Sequence, residues 1–338
     1  MSNSVKIALV GCGNIAQAHW AGIRGEAPHI TVTAVVDTHA EMLAAMAAKT
    51  GAAPFSSLDD ALAEADCDAV DIMLPHYLHE EAAIKAFAAG KHVLLEKPMA
   101  PTLDACDRIL AAAKRAGTVF MVAEQSHYWP DALKVRAMIR VGAIGEVITA
   151  RAYFGGTPDA FDGPKPWRYQ RAKAGGGICM DGGAHWIRPL RMWLGEIDEV
   201  VAVVGHPLAE MENESFARAL LRFESGVVAV FDALHAGDFI GPGEEFRVTG
   251  TRGELVIEKG AHGNLIRYDR AHPGGEVIQS KHPGRGAPSF GYELHDFSLA
   301  VLEGKTLAAG PEYSLGELRT ALAIYRSAET RQWEKVWD

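Results

Sequence analysis

VKIALVGCGNIA, residues 5–16, is the stretch that decides the fold. Val5 to Val10 predict a β-strand, and Gly11-Cys12-Gly13-Asn14-Ile15-Ala16 follows as a G-x-G-x-x-A turn. A helical pattern comes next, with Ile15, Ala18 and Gly22 on one face. In a strand–turn–helix of this kind Gly11 permits the tight turn and Gly13 lets backbone amides approach a pyrophosphate. Ala16 keeps the helix close to the sheet, and the helix N-terminus supplies partial positive charge. A second strand, Ile30 to Val36, ends in Asp37, 24 residues after Gly13. A carboxylate at about that distance meets the ribose hydroxyls of a dinucleotide. No Arg or Lys lies between Asp37 and Lys49 to hold a 2′-phosphate, so NAD is expected rather than NADP.

KHVLLEKPMAP, residues 91–101, is the second informative run. Val93, Leu94 and Leu95 suit a strand buried on both faces, and Glu96, Lys97 and Pro98 follow at once. A lysine at the C-terminal end of such a strand points into the crevice where open α/β sheets bind ligands. Pro98 fixes φ and holds Lys97 extended, so the ammonium stands on a stiff turn. A surface lysine closing a strand fits this segment equally well. A third run, Gly175 to His185, sets Asp181 and His185 four apart. At the start of a helix they share a face, where a carboxylate and an imidazole make an acid/base pair. The competing readings are a glycine linker, a capping Asp, and a His packed beside Trp186. Two ligand-type residues without a third nearby do not make a metal site, so no metal is expected.

Together these segments resemble the glucose–fructose oxidoreductase / inositol dehydrogenase / MocA family over nearly the whole chain. The resemblance also rests on Pro75 with His79, Ile144-Gly145-Glu146, Trp167-Arg168, and the turn Val248 to Gly253. It implies an α/β plus α+β fold: an N-terminal Rossmann dinucleotide-binding domain and a C-terminal domain on a large, mostly antiparallel open sheet. It further implies that Lys97, Asp181 and His185 line the substrate pocket beside the nicotinamide. The implied cofactor contacts are Gly11, Gly13, Asn14, Ile15, Asp37, Thr38, Pro75, His76, His79, Glu96, Lys97, Gln125 and Arg168. The implied substrate contacts are His127, Tyr128, Trp167, Arg168, Asp181 and His185. A homodimer or homotetramer, associating through the open sheet, follows from the same resemblance. One departure stands out: the third residue after the His is often acidic in relatives, whereas Arg188 stands here, followed by Pro189. That places the substrate's charge or size in question.

Composition narrows the classes. A chain of 338 residues exceeds the usual single-core limit, and 48% hydrophobic residues suffice for packed cores. The net charge of −10 argues against nucleic acid and anionic membranes as partners. No stretch reaches a membrane span, and no basic-then-apolar leader is present. Cys12, Cys67, Cys106 and Cys179 lie far apart, which suits a reducing cytoplasm and a small filler role for Cys12.

The expected boundary is near residue 124, giving a dinucleotide domain over 1–124 and a substrate and oligomerisation domain over 125–338. In the first, strands at Ala69–Met73 and Val119–Ala123 alternate with helices at Ala40–Lys49, Glu80–Ala89 and Thr102–Ala116. In the second, a helix at Leu133–Val141 precedes strands at Val147–Tyr153, Glu199–Val204, Ala217–Phe223, Val227–Leu234, Glu245–Thr249 and Glu254–Glu258. Residues 271–290 read as a loop. Helices at Phe290–Glu303 and Ser314–Arg331 close the chain, and the last of these is a candidate to pack back on the first domain.

The expected chemistry is hydride transfer between a secondary alcohol of a sugar, polyol or related cyclic alcohol and nicotinamide. His185 is the expected general base, since imidazole titrates at about 6.5, and Lys97 the group that stabilises developing alkoxide. Asp181 holds a neighbouring hydroxyl or orients His185. Arg168 reaches the substrate or the nicotinamide amide, or sits in a surface ion pair. Tyr128 and Trp129 stack on a sugar or fill the core. His235 is a minor candidate, and His262, His272, His282 and His295 lack ligand spacing. An NAD-dependent glycosidase working by transient oxidation and a non-catalytic dinucleotide-binding sensor are the alternatives; retention of Lys97, Asp181 and His185 together speaks against the sensor.

Overall fold

A computed structural model describes residues 4–157, 166–237, 240, 244–258, 263–280 and 285–337. His262 and His282 lie outside them. The chain forms two compact units, Met1–Gln125 with Gly286–Leu315, and Ser126–Arg285 with Gly316–Asp338.

The first unit begins with β1 (Val5–Val10), α1 (Asn14–Glu26), β2 (Ile30–Val36), α2 (Ala40–Thr50), β3 (Ala53–Phe55), α3 (Leu58–Glu64) and β4 (Ala69–Ile72). It continues with α4 (His79–Ala88), β5 (His92–Glu96), α5 (Leu103–Ala116) and β6 (Phe120–Ala123). Among the described residues the strands form a six-stranded sheet in the order β3-β2-β1-β4-β5-β6. Every neighbouring pair is parallel. The strands are aliphatic because helices cover both faces; β4 and β6 are buried throughout. The order reverses between β1 and β4, so the crevice that binds ligands in such sheets opens beyond their C-terminal ends. β3 and α3 escape a reading by pattern. β3 is three residues long and contains Pro54, which only an edge strand tolerates.

The second unit carries α6 (Pro130–Arg140), β7 (Val147–Gly156), α7 (Pro166–Tyr169), α8 (Arg171–Ala174), α9 (Ala184–Leu194), β8 (Ile197–Gly205), β9 (Phe216–Phe223) and β10 (Val228–His235). β11 (Glu244–Gly250), β12 (Gly253–Glu258), β13 (Leu265–Asp269) and β14 (Glu276–Gln279) follow. After α10 (Ala287–Glu303) the chain ends in α11 (Leu315–Thr330) and β15 (Glu334–Lys335). Among the described residues the sheet runs β14-β13-β12-β11-β7-β10-β9-β8-β15. It is antiparallel except for β7 and β10, which pair in parallel. Along β9 burial alternates: Ala217, Ala219, Leu221 and Phe223 point inward, Arg218, Leu220 and Arg222 outward. The inner face meets α9 through aromatic contacts, with Phe154 and Trp186 centroids 4.4 Å apart and Trp193 and Phe246 5.1 Å apart.

Two expectations need correction. Residues 271–290 are not one loop: β14 lies within them, a four-residue strand paired to β13 and concealed by flanking Gly and Pro. Nor does the chain after residue 124 stay in one unit. Gly286–Leu315 belongs to the first, where α10 packs along α1 and each of Gly22 and Gly291 leaves no room for a side chain on the other. The helix that returns is α10, while α11 from Gly316 onward belongs to the second unit.

Candidate active site

In the first unit, Gly11 has φ +95°, and a Cβ there would stand 2.6 Å from the Met73 carbonyl oxygen. Glycine is therefore required where β1 passes the end of β4. Gly13 caps α1 without a side-chain hydrogen bond, and no acidic residue occupies the first turn. The helix N-terminus thus keeps the character that attracts a phosphate. One Asp37 oxygen accepts the Cys12 amide at 2.7 Å and the other accepts the His39 amide at 2.7 Å. The carboxylate is thereby fixed at the end of β2, beside exposed Thr38. These residues fit a dinucleotide: a glycine cradle, an uncapped helix start and an oriented carboxylate. Burial pushes the Cys12 thiol up to about 11, with Asp37 adding to the effect. Cys12 is thus a buried filler rather than a nucleophile.

Lys97 follows the last residue of β5 directly, and its peptide bond to Pro98 is cis. Its amide donates to Glu96 at 3.0 Å. His79, wholly buried, sets its ring between two carbonyls, Pro98 at 2.9 Å and Leu74 at 2.7 Å. Burial lowers its pKa despite those carbonyls. His79 therefore braces the Lys97-Pro98 turn against the end of β4. His76 lies in a short 3₁₀ turn after Pro75, its ring 5.7 Å from that of His79. Gln125 opens a second 3₁₀ turn, just beyond β6.

In the second unit the glycine run ends in a turn, and α9 starts only at Ala184. Asp181 therefore precedes the helix, and the expected shared helical face is not formed. Asp181 instead accepts from Arg168 at 2.7 Å, and the Arg168 guanidinium lies 4.8 Å from the centre of the Trp167 ring. His185 occupies the first turn of α9, with its ring 6.4 Å from both Trp129 and Trp186. Pro189 has no N–H to give the His185 carbonyl four residues back. Buried His235 feels both Asp181 and Arg168, and burial lowers its pKa. His127 and Tyr128 meet edge-on at 5.4 Å, both buried.

Arg188 is 1% exposed and donates twice to Glu317, each time at 2.9 Å. Its nearer nitrogen stands 3.5 Å from the His127 ring. Arg191 joins the same carboxylate and also Glu196. The departure noted at residue 188 is thus neutralised within the unit rather than offered to a substrate.

A residue that pattern reading misses is Glu214. One of its oxygens accepts the Gly177 amide at 2.9 Å, and the other accepts the Cys179 amide at 2.9 Å and the Tyr325 hydroxyl at 3.0 Å. Its own carbonyl accepts from Ile178 at 3.1 Å. A side chain at Gly177 would run into the Glu214 carbonyl. Burial raises the Glu214 pKa against these donors. This clamp fixes the loop that delivers Asp181 and His185. Its partners are over thirty residues away in sequence, so local spacing carries no trace of it.

A parallel dinucleotide sheet, a glycine cradle and a strand-end lysine, with a carboxylate–guanidinium pair and a histidine in the second unit, define an NAD-binding oxidoreductase. The profile of an oxidoreductase family with an NAD-binding Rossmann fold matches residues 5–124, and that of the GFO/IDH/MocA C-terminal domain matches residues 132–256. The chain belongs to the GFO/IDH/MocA oxidoreductase family. It is 31% identical to a 1,5-anhydro-D-fructose reductase of Ensifer adhaerens, over 97% of each chain. It is 27% identical to a levoglucosan dehydrogenase of Pseudarthrobacter phenanthrenivorans, over 98% of each. Among solved structures, an NAD-binding oxidoreductase from Klebsiella pneumoniae superposes with a TM-score of 0.85 at 28% identity, covering 99% of this chain and 100% of the other. No described helix is long and apolar enough to cross a membrane, and no metal-binding group of His, Cys, Asp and Glu occurs among the described residues.

Proposed function

We propose that the enzyme transfers a hydride between a secondary alcohol of a sugar, polyol or related cyclic alcohol and NAD, with Lys97 and His185 acting at the reacting oxygen. The observation that carries this reading is the mounting of Lys97. It stands at the C-terminal end of a buried parallel strand, its amide tied to Glu96 and its turn braced by His79. The names of the relatives that match end to end, a sugar-derivative reductase and an anhydrosugar dehydrogenase, support the substrate class. The Gly11–Asn14 turn and Asp37 would hold NAD, which would supply the hydride acceptor or donor.

In oxidation, His185 takes the hydroxyl proton and Lys97 stabilises the oxygen as its charge develops. In reduction His185 returns the proton to the oxygen while Lys97 again stabilises its charge. Asp181, held by Arg168, accepts a hydrogen bond from a neighbouring hydroxyl and fixes which carbon is presented. Trp129 is buried beside His185, with the Arg285 guanidinium 4.1 Å from the centre of its ring, so it backs the histidine rather than facing a substrate. The outward face of the nine-stranded sheet supports a homo-oligomer, since Val201, Val203, Leu220 and Val230 form an apolar strip flanked by Arg151, Arg218 and Arg222. A reducing cytoplasm suits the four free, buried cysteines.

The test is a panel of levoglucosan, D-glucose and myo-inositol with NAD, and 1,5-anhydro-D-fructose with NADH, followed by nicotinamide absorbance. Net cofactor turnover with at least one member supports the reading. Product formation without net cofactor turnover would point to hydrolysis through transient oxidation.

A further inference from the structure

The first unit contains a buried ionic chain that runs from the helix of the cofactor turn to Glu96, the residue that ties the Lys97 amide. His19, on α1, is wholly buried. Its Nδ1 lies 2.8 Å from Asp71 on β4, and its Nε2 lies 3.1 Å from Glu96 on β5. The other Glu96 oxygen accepts the Lys97 amide at 3.0 Å. A neutral imidazole donates from only one nitrogen, so two ionised carboxylates at its ends favour the imidazolium; burial raises the Asp71 pKa, and His19 opposes that rise. We infer that His19 is a positioning residue for Lys97: it clamps the Glu96 carboxylate and, through it, ties the turn that carries the lysine to the helix that starts the cofactor site. This rests on the role proposed above for Lys97.

Several observations bear on it. His19 is the sixth residue of α1, about 7.5 Å along the axis from its N-terminus. One side chain thus joins the phosphate-facing helix to the end of β5. The position is locked from the other side by α10, whose Phe290 ring lies 5.1 Å from that of His19. The charged and titratable groups that face His19 are Asp71 from β4, Glu96 from β5 and Glu293 from α10, and Glu124 beyond β6 acts on Glu293. Burial alone would pull His19 down, but Asp71 and Glu96 outweigh it and hold the imidazolium well above the ordinary range. Glu293 is fully buried, and neither of its oxygens has a hydrogen-bond partner among the described residues. Burial therefore drives its pKa well up. The atoms that meet the two His19 nitrogens are those of Asp71 and Glu96. A buried ion pair of this kind is costly to break, because removing one partner strands the other charge. Such a contact fixes geometry more than it adds stability.

The experiment uses the full-length enzyme carrying His19→Gln, which keeps an amide N–H for Glu96 but no charge, and His19→Ala, which removes both. Competitive labelling of lysines with acetic anhydride, read by mass spectrometry, reports Lys97 reactivity against pH without any substrate. The expected result is a severalfold change in Lys97 labelling in His19→Ala, and an intermediate value in His19→Gln. On the most active member of the panel, kcat falls about tenfold or more in His19→Ala, as displacement of a reacting group predicts. NAD affinity stays near normal, and the loss disappears in a Lys97→Ala background. Wild-type labelling of Lys97 in His19→Ala, together with a fall in thermal stability alone, overturns the inference. Near-normal turnover of Lys97→Ala with altered labelling would instead remove the proposed role of Lys97 and leave the positioning intact.

Discussion

Lys97, Asp181 and His185 are single residues whose chemistry is read from type and place. Replacing any of them with alanine is expected to lower kcat by about a hundredfold or more, as loss of a positioned acid/base or charge-stabilising group does. NAD binding, followed by quenching of tryptophan fluorescence, should persist in all three. Lys97 and Gly11 were legible because each sits in a short local motif that names its own neighbours. His19 and Glu214 were not. Their partners lie 52 and 77 residues away for His19 and 37 and 35 for the Glu214 carboxylate, and only the folded chain brings them together. Glu214→Ala leaves the Cys179 amide and the Tyr325 hydroxyl without this acceptor, and the Gly177 amide with only the Tyr325 oxygen at 3.2 Å, which should cost about 2 kcal/mol or more. Thermal unfolding reads that loss, and Glu214→Gln should recover part of it.

At the scale of elements, α1 shows why a hydrophobic pattern misleads. The pattern puts Ile15, Ala18 and Gly22 on one face, whereas the buried residues are Ala16, His19, Gly22 and Ile23. A charged His in the centre of the buried face breaks the apolar period, so the face is misplaced by about one residue. The same burial makes a prediction for pH. Glu293 has a native pKa raised well above its ordinary value near 4.5 by burial. Between those two values the native state keeps a proton that the unfolded chain has lost, so stability falls as pH rises through that window. His19, also raised, acts in the same direction from about 6.5 upward. Glu293→Gln should therefore flatten the decline in melting temperature on the alkaline side, while His19 continues to contribute. An unchanged slope in Glu293→Gln contradicts this assignment. Strand elements were legible where they were long or alternating, as in β9. β3, β14 and β15 are too short for either signal.

For the whole molecule, the alternation of strands and helices before residue 124 and of strands after it foretold two architectures. It could not foretell that α10 returns to the first unit, because that depends on the fit of Gly291 against Gly22. The outward sheet face carries Val203 and Leu220, 58% and 41% exposed, among basic side chains. Leu220→Glu should shift the species seen by light scattering from an oligomer towards the monomer; a mass unchanged from wild type would place association elsewhere. Similarity over nearly the whole chain to relatives named as sugar-derivative oxidoreductases makes substrate class a question for kinetics. The most direct measurement is nicotinamide absorbance during turnover of the sugar and polyol panel by the native enzyme and by Lys97→Ala and His185→Ala, with NAD affinity measured in parallel. The account predicts net cofactor turnover with at least one sugar or polyol, and loss of that turnover by about a hundredfold in both variants at unchanged NAD affinity. Near-native turnover by Lys97→Ala would contradict it.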